Sequence, residues 1–169
     1  MTNVPRSLSP VPKWFGPDQW ERMLPKERAL QTMAYLADVV KVRESGGNNR
    51  GPEVREFLRS AGLGEGYPWC AAAICFARKS AGLPVPKGAA AVRNWASFLP
   101  STSSPTRGDL CYWLNADGSG HIGIVVRTLG LWTYSIEGNT SGGETGSQRD
   151  GDGMFRRVRL RGSWRYLRG

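Results

Sequence analysis

Residues 66–77 read GYPWCAAAICFA: a Gly-Tyr-Pro-Trp turn, then a cysteine, then a run of small and apolar residues. Proline favours the opening turn of a helix, and Gly82-Leu83-Pro84 supplies the matching stop signal, so the spacing predicts a helix from about Pro68 to Gly82. Cys70 falls at its start. It has two readings, the first buried residue of a core helix or a thiol placed to react, and the rest of the chain bears on the choice.

Working outward from that helix, the pattern upstream is also helical. Leu30, Met33, Ala34, Leu36, Ala37 and Val40 recur at three- and four-residue spacing from Pro25 onward, up to the loop ESGGNN at 44–49. Gly51-Pro52-Glu53 opens a further helix that reaches Ala61-Gly62, with proline at the first helical position and an acid in the first turn. A shorter helix is expected over Ala89–Phe98, followed by a Ser/Thr/Pro-rich loop from Pro100 to Gly108. There the hydrophobic period changes from about 3.6 to 2. Asp109–Leu114, His121–Thr128, Leu131–Glu137 and Met154–Trp164 alternate as strands, separated by turns at Asp117-Gly118, Leu129-Gly130 and Ser141-Gly142-Gly143. Helices first and an antiparallel meander second is the order of an α+β fold, not of a doubly wound sheet.

A chain of 169 residues suits one domain. Residues 1–25 read as an N-terminal arm, in which Pro5, Pro10 and Pro12 oppose a helix, and 26–169 as the domain itself. The first 16 residues contain no continuous apolar stretch, so neither a secretory signal nor a membrane span is expected. Cys70, Cys75 and Cys111 are an odd set with no zinc-type spacing. Cys70 and Cys75 point about 140° apart on a helix, which makes a local disulfide geometrically poor. The net charge of +9 favours an anionic partner: nucleic acid, anionic lipid or a wall polymer. Much of the excess lies in Arg156, Arg157, Arg159, Arg161, Arg165 and Arg168, either a binding patch or a solvated strand face.

The start of a helix is where a nucleophilic thiol is best placed. Unsatisfied N–H groups and the positive end of the dipole favour thiolate, and the same N–H groups can hold an oxyanion. For Cys75 and Cys111 the reading is a small buried hydrophobe. A thiol nucleophile needs a base, and His121 is the one histidine in the chain. It begins a strand behind a flexible Asp-Gly-Ser-Gly turn, with Gly120 and Gly123 as small neighbours that leave room for a substrate. A third group should accept the other ring N–H. Glu137 and Asn139, two apart at the end of WTYSIEGN, can share one strand face, and either fits.

Taken together, ESGGNNRGPEV (44–54), GYPWCAAAICFARKSAG (66–82), RGDLCYW (107–113), GHIGIVV (120–126) and IEGN (136–139) resemble the CHAP family, the cysteine, histidine-dependent amidohydrolases/peptidases of the papain-like NlpC/P60 group. The resemblance covers roughly residues 26–140. It implies a papain-like α+β fold with helices packed on an antiparallel sheet, Cys70 as nucleophile, His121 as base, Glu137 orienting the imidazole and Asn139 as a further polar member. It also implies hydrolysis of an amide in peptidoglycan, at the muramoyl-L-alanine bond or within the stem peptides and cross-bridges, through a thioester. Trp69, Asn48, Asn49 and Trp95 are candidate groove walls, with core packing the favoured role of both tryptophans. Some family members carry an aspartate loop for calcium. Here that region offers Glu44, Asn48 and Asn49, so neither metal nor other cofactor is expected. The lysin reading places the enzyme, made without a signal peptide, at the bacterial wall after release, with the arginine-rich end meeting an anionic wall polymer or membrane surface. An injected antibacterial effector has the same chemistry. The non-enzymatic reading is a basic module for wall polymer or nucleic acid, nucleic acid being disfavoured for want of a recognised motif.

Overall fold

The computed structural model describes residues 12–142 and 151–169. The first eleven residues of the expected arm, and Gly143 of the turn after the third strand, lie outside them. Helices α1 (Pro17–Arg22), α2 (Pro25–Tyr35), α3 (Pro52–Ser60), α4 (Cys70–Ser80) and α5 (Val92–Phe98) precede strands β1 (Leu110–Leu114), β2 (Gly120–Leu129), β3 (Trp132–Thr140), β4 (Gly153–Leu160) and β5 (Arg165–Leu167). The fold is α+β, as the change of period indicates. No helix among the described residues is long and apolar enough to cross a membrane.

Local chemistry explains most boundaries. Proline opens α1, α2 and α3, where its missing N–H costs nothing. Helices α3 and α4 end alike, in Schellman turns built on Gly62 (φ 82°) and Gly82 (φ 76°). Leu63 N donates to Leu58 O at 2.9 Å and Leu83 N to Arg78 O at 2.8 Å. Helix α2 runs into a π-helical turn, Leu36–Val40, closed by Lys41 in the left-handed region. Ahead of it, α1 buries Trp20, and Trp14 meets Tyr35 edge-on at 5.4 Å.

Helix α4 is the centre of the molecule. Trp69, Ala71, Ala72, Ala73, Ile74, Cys75 and Ala77 are all fully buried, in one core with Leu30 and Met33 of α2, Phe57 and Leu58 of α3, and Ile122, Ile124 and Ile136 of the sheet. Alanines let the helix approach the sheet closely. Gly138 of β3 completes the fit, because a Cβ there would lie 2.6 Å from Trp69 Cζ3 and 3.2 Å from Ala73 Cβ. Gly138→Ala is therefore expected to destabilise the protein by about 1–3 kcal/mol through overpacking, read as a lowered denaturation midpoint with unchanged slope.

The strands are ordered β4-β3-β2-β1-β5 and the pairs are antiparallel. The expected single strand over Met154–Trp164 is instead two elements. After Leu160 the chain makes a 3₁₀ turn at Arg161–Ser163, crosses to the opposite edge and pairs with β1 as β5. Alternation alone reads through this break. What drives it is burial of Tyr166 with Cys111 and Val125 in a second small core, where the tyrosine hydroxyl lies 2.7 Å from Thr133 Oγ1. The crossing also covers the otherwise open edge of β1.

The arginines of this segment do not form one solvent-facing patch. Arg156 pairs with Asp38 (Nη2–Oδ2 2.6 Å), Arg157 donates to Ser141 O (2.8 Å), Arg161 to Ser103 O (2.8 Å), and Arg159 turns inward to Glu137. Arg165 and Arg168 remain exposed.

Candidate active site

Cys70 stands at the first position of α4, behind Trp69 (φ −117°, ψ 9°), and no side chain caps the helix. The first bond within the helix runs from Ala73 N to Trp69 O at 2.9 Å. The amide groups of Cys70, Ala71 and Ala72 therefore lie in the first turn, where a helix leaves its donors without internal acceptors. Trp69 is fully buried and fixes this end: its Nε1 donates to Glu44 Oε1 at 2.8 Å. Glu44 Oε2 accepts from Asn49 N at 2.7 Å, and Asn49 O accepts from Gly66 N at 3.0 Å. The ESGGNN loop thus clamps the turn that delivers the cysteine.

His121 follows the Asn115–Gly120 turn, which is held by Asp117 Oδ1 accepting from Ser119 N (2.8 Å) and Ser119 Oγ (2.6 Å). The imidazole is buried, with Trp113 stacked on it (6.5 Å between centroids) and Trp164 edge-on (6.2 Å). Its Nε2 lies 3.0 Å from Glu137 Oε2, and Cys70 is the other neighbour that acts on the ring. With Nε2 engaged by the carboxylate, Nδ1 is the nitrogen left for the sulfur. His121 thus has Glu137 in hydrogen-bond contact and Cys70 as its other electrostatic neighbour.

Glu137 has no exposed surface. Besides His121 it accepts from Ser135 Oγ at 2.6 Å and from Arg159 twice, Nε to Oε1 at 2.9 Å and Nη2 to Oε2 at 2.5 Å. Burial alone would raise its pKa. The hydrogen bond from Arg159, then the bond and charge of His121, hold it down to about 2. Burial likewise acts to lower the pKa of His121, but the charge and hydrogen bond of Cys70 and those of Glu137 override it, up to about 9. Cys111 and Cys75 differ: burial pushes both thiols up, the setting of inert cysteines.

Other expected residues are placed differently. Trp69 and Trp95 are fully buried, Trp95 Nε1 donating to Ala89 O at 2.7 Å, so neither presents a groove wall and both pack the core. Asn48 is exposed, whereas Asn49 is buried in the left-handed region (φ 56°) with its Oδ1 unpartnered. Asn139 is buried as well, at φ 54°. It sits within a register shift between Glu137 and Thr140, so alternation with Glu137 is broken, and its Oδ1 also has no partner. Gly123 makes room for the protein, not for substrate: a Cβ there would lie 2.6 Å from Glu137 Cγ.

Ser135 and Arg159 went unread in the sequence. Ser135 is two residues before Glu137 and so on its face. Arg159 is twenty-two residues further on, and its only sequence signal is that a carboxylate ending an apolar strand requires a cation.

Beside Cys70 opens a cleft of about 390 Å³ lined by Leu63, Tyr67, Pro68, Ala91, Asn94 and Gly120 among others. A second cleft, of about 470 Å³, lies between Trp14, Phe15, α2 and the sheet and touches none of the residues named above as the site. The first gives access to the Cys70 thiol and the opening turn of α4, where a nucleophile and oxyanion-binding amides would be needed. Residues 62–139 match the family model of the CHAP domain, a span that takes in Cys70, His121, Glu137 and Asn139 and ends before Arg159. No curated protein and no solved structure matches the chain significantly.

Proposed function

With the CHAP match over residues 62–139 as premise, which indicates peptidoglycan-related amidase or peptidase activity, we propose that the protein cleaves an amide bond of peptidoglycan by Cys-His nucleophilic catalysis, as a phage-type lysin. The observation that carries the proposal is the buried His121–Glu137 pair, 3.0 Å apart, with Cys70 acting on the same ring from the first turn of α4 and lining a cleft. The Cys70 thiolate attacks the amide carbonyl, and the oxyanion is received by backbone N–H groups in the first turn of α4. Imidazolium then protonates the leaving amine through Nδ1, leaving a thioester. A water molecule, deprotonated by the now neutral His121, hydrolyses the thioester and restores the thiolate–imidazolium pair. Glu137 keeps Nε2–H in place throughout, and Asn139 is a further polar member of the site. The net charge of +9 favours approach to an anionic wall.

Incubating purified peptidoglycan of several chemotypes with the protein tests this reading. New amino groups should appear, and the masses of the soluble fragments name the bond: intact stem peptides for a muramoyl-L-alanine amidase, shortened ones for an endopeptidase. No release from any chemotype by folded protein would overturn it. The binding-module alternative is weakened by the arginines of β4, since Arg156, Arg157 and Arg159 are engaged within the molecule.

A further inference from the structure

We infer that Arg159 is a positioning residue of the site, a fourth member that acts on Cys70 only through Glu137 and His121. The inference deepens the catalytic reading above and rests on it. Arg159 lies outside the matched segment, on β4. Its guanidinium makes both of its bonds to the one carboxylate that holds His121, and its side chain is 12% exposed. The Trp164 ring lies 5.4 Å from it on another side. A surface ion pair would have a solvated arginine with other partners in reach. This one faces a fully buried acid, where two parallel charge-assisted bonds fix both the rotamer and the charge of that acid.

The groups facing Glu137 define what Arg159 contributes. From β2 comes His121, with Cys70 of α4 beyond it; from β1, Cys111; from β3 itself, Ser135; from β4, Arg157 and Arg159. Arg159 is a permanent cation bonded twice to the carboxylate. Without it, a carboxylate buried this completely takes up a proton more readily, because the hydrogen bond that most opposes burial is lost along with its charge. A protonated Glu137 can no longer stabilise the imidazolium, and the thiolate loses its counter-charge. Arg159 therefore extends the pH range of the Cys70–His121 ion pair downward.

The test reads the ion pair without any wall substrate. The rate of Cys70 alkylation by iodoacetamide is followed against pH, with the modified cysteine assigned by peptide mass spectrometry, for wild type, Arg159→Met, Arg159→Lys, Glu137→Gln and the double variant Glu137→Gln/Arg159→Met. Arg159→Met should move the acidic limb up by at least one pH unit, a loss of about tenfold in rate on that limb, and Arg159→Lys should lie between it and wild type. In the Glu137→Gln background the same replacement should cause no further shift. The NMR titration of His121, the single histidine, should follow the same pattern. An unmoved limb in folded Arg159→Met, or a shift that persists without the carboxylate, would overturn the inference. Expected limb shifts combined with no amine release from peptidoglycan would leave Arg159 its role and reject the proposed reaction instead. Should Arg159→Met fail to fold, Arg159→Lys decides the matter, since it retains charge but cannot make both bonds, and a wild-type limb there also counts against the inference.

Discussion

Cys70→Ser and His121→Ala should each lower amine release from peptidoglycan by at least about a thousandfold, the scale on which members of a nucleophile–base unit act. Both variants should still fold. Cys70 contributes one side chain at a cleft floor, and serine changes its volume little. Loss of His121 leaves Glu137 with Arg159 and Ser135 as partners, so no uncompensated charge remains in the interior. Activity per folded molecule, with folding checked by thermal melting, separates this from a packing role. The double variant should be no worse than either single one, because the two residues perform one step. Measurable hydrolysis by folded Cys70→Ser at more than about a tenth of the wild-type rate would mean that the thiol is not the nucleophile.

The α+β class and the start of α4 were legible because they depend on local signals: prolines at helix starts, glycines in the left-handed region at their ends, and a change of period after Gly108. Cys70 and His121 were legible as candidates because few residue types can perform the proposed chemistry. What the sequence concealed is long-range. The move of β5 to the far edge is set by a burial site for Tyr166 that β1, β2 and β3 create together. Trp69 and Trp95, for which the sequence favoured the core over a groove, are fixed there by polar partners, Glu44 twenty-five residues before Trp69 and Ala89 six before Trp95. Arg159 is concealed for a further reason. The run Arg156, Arg157, Arg159, Arg161 looks like repeated surface charge, yet the alternation of β4 sends Arg156 to Asp38 and Arg159 to the buried carboxylate. Charge counted along a chain says nothing of which charges fold inward.

The second large effect concerns Glu137 and stability. Glu137→Ala removes the acceptor of a buried guanidinium, and an ion pair broken from one side costs about 3–5 kcal/mol, a large part of the 5–15 kcal/mol typical of a domain. Glu137→Gln retains volume and one acceptor oxygen and should cost less. The wild-type carboxylate has its pKa lowered from 4.5 to about 2. Its contribution, roughly 3 kcal/mol by linkage, is complete above pH 4.5 and is lost as pH falls through 2. For His121, raised from 6.5 to about 9, the sign is opposite: its contribution is complete below pH 6.5 and is lost as pH rises through 9. These two groups together place the maximum of stability between about pH 4.5 and 6.5. Urea midpoints measured across pH should fall on both sides of that window. Glu137→Gln should flatten the acid side, leaving the smaller slope from carboxylates such as Glu27, whose pKa burial acts to raise but Arg107 lowers. An acid branch as steep in Glu137→Gln as in wild type would show that Glu137 is not held ionised by its neighbours, and the stabilised imidazolium that depends on it would fall with it.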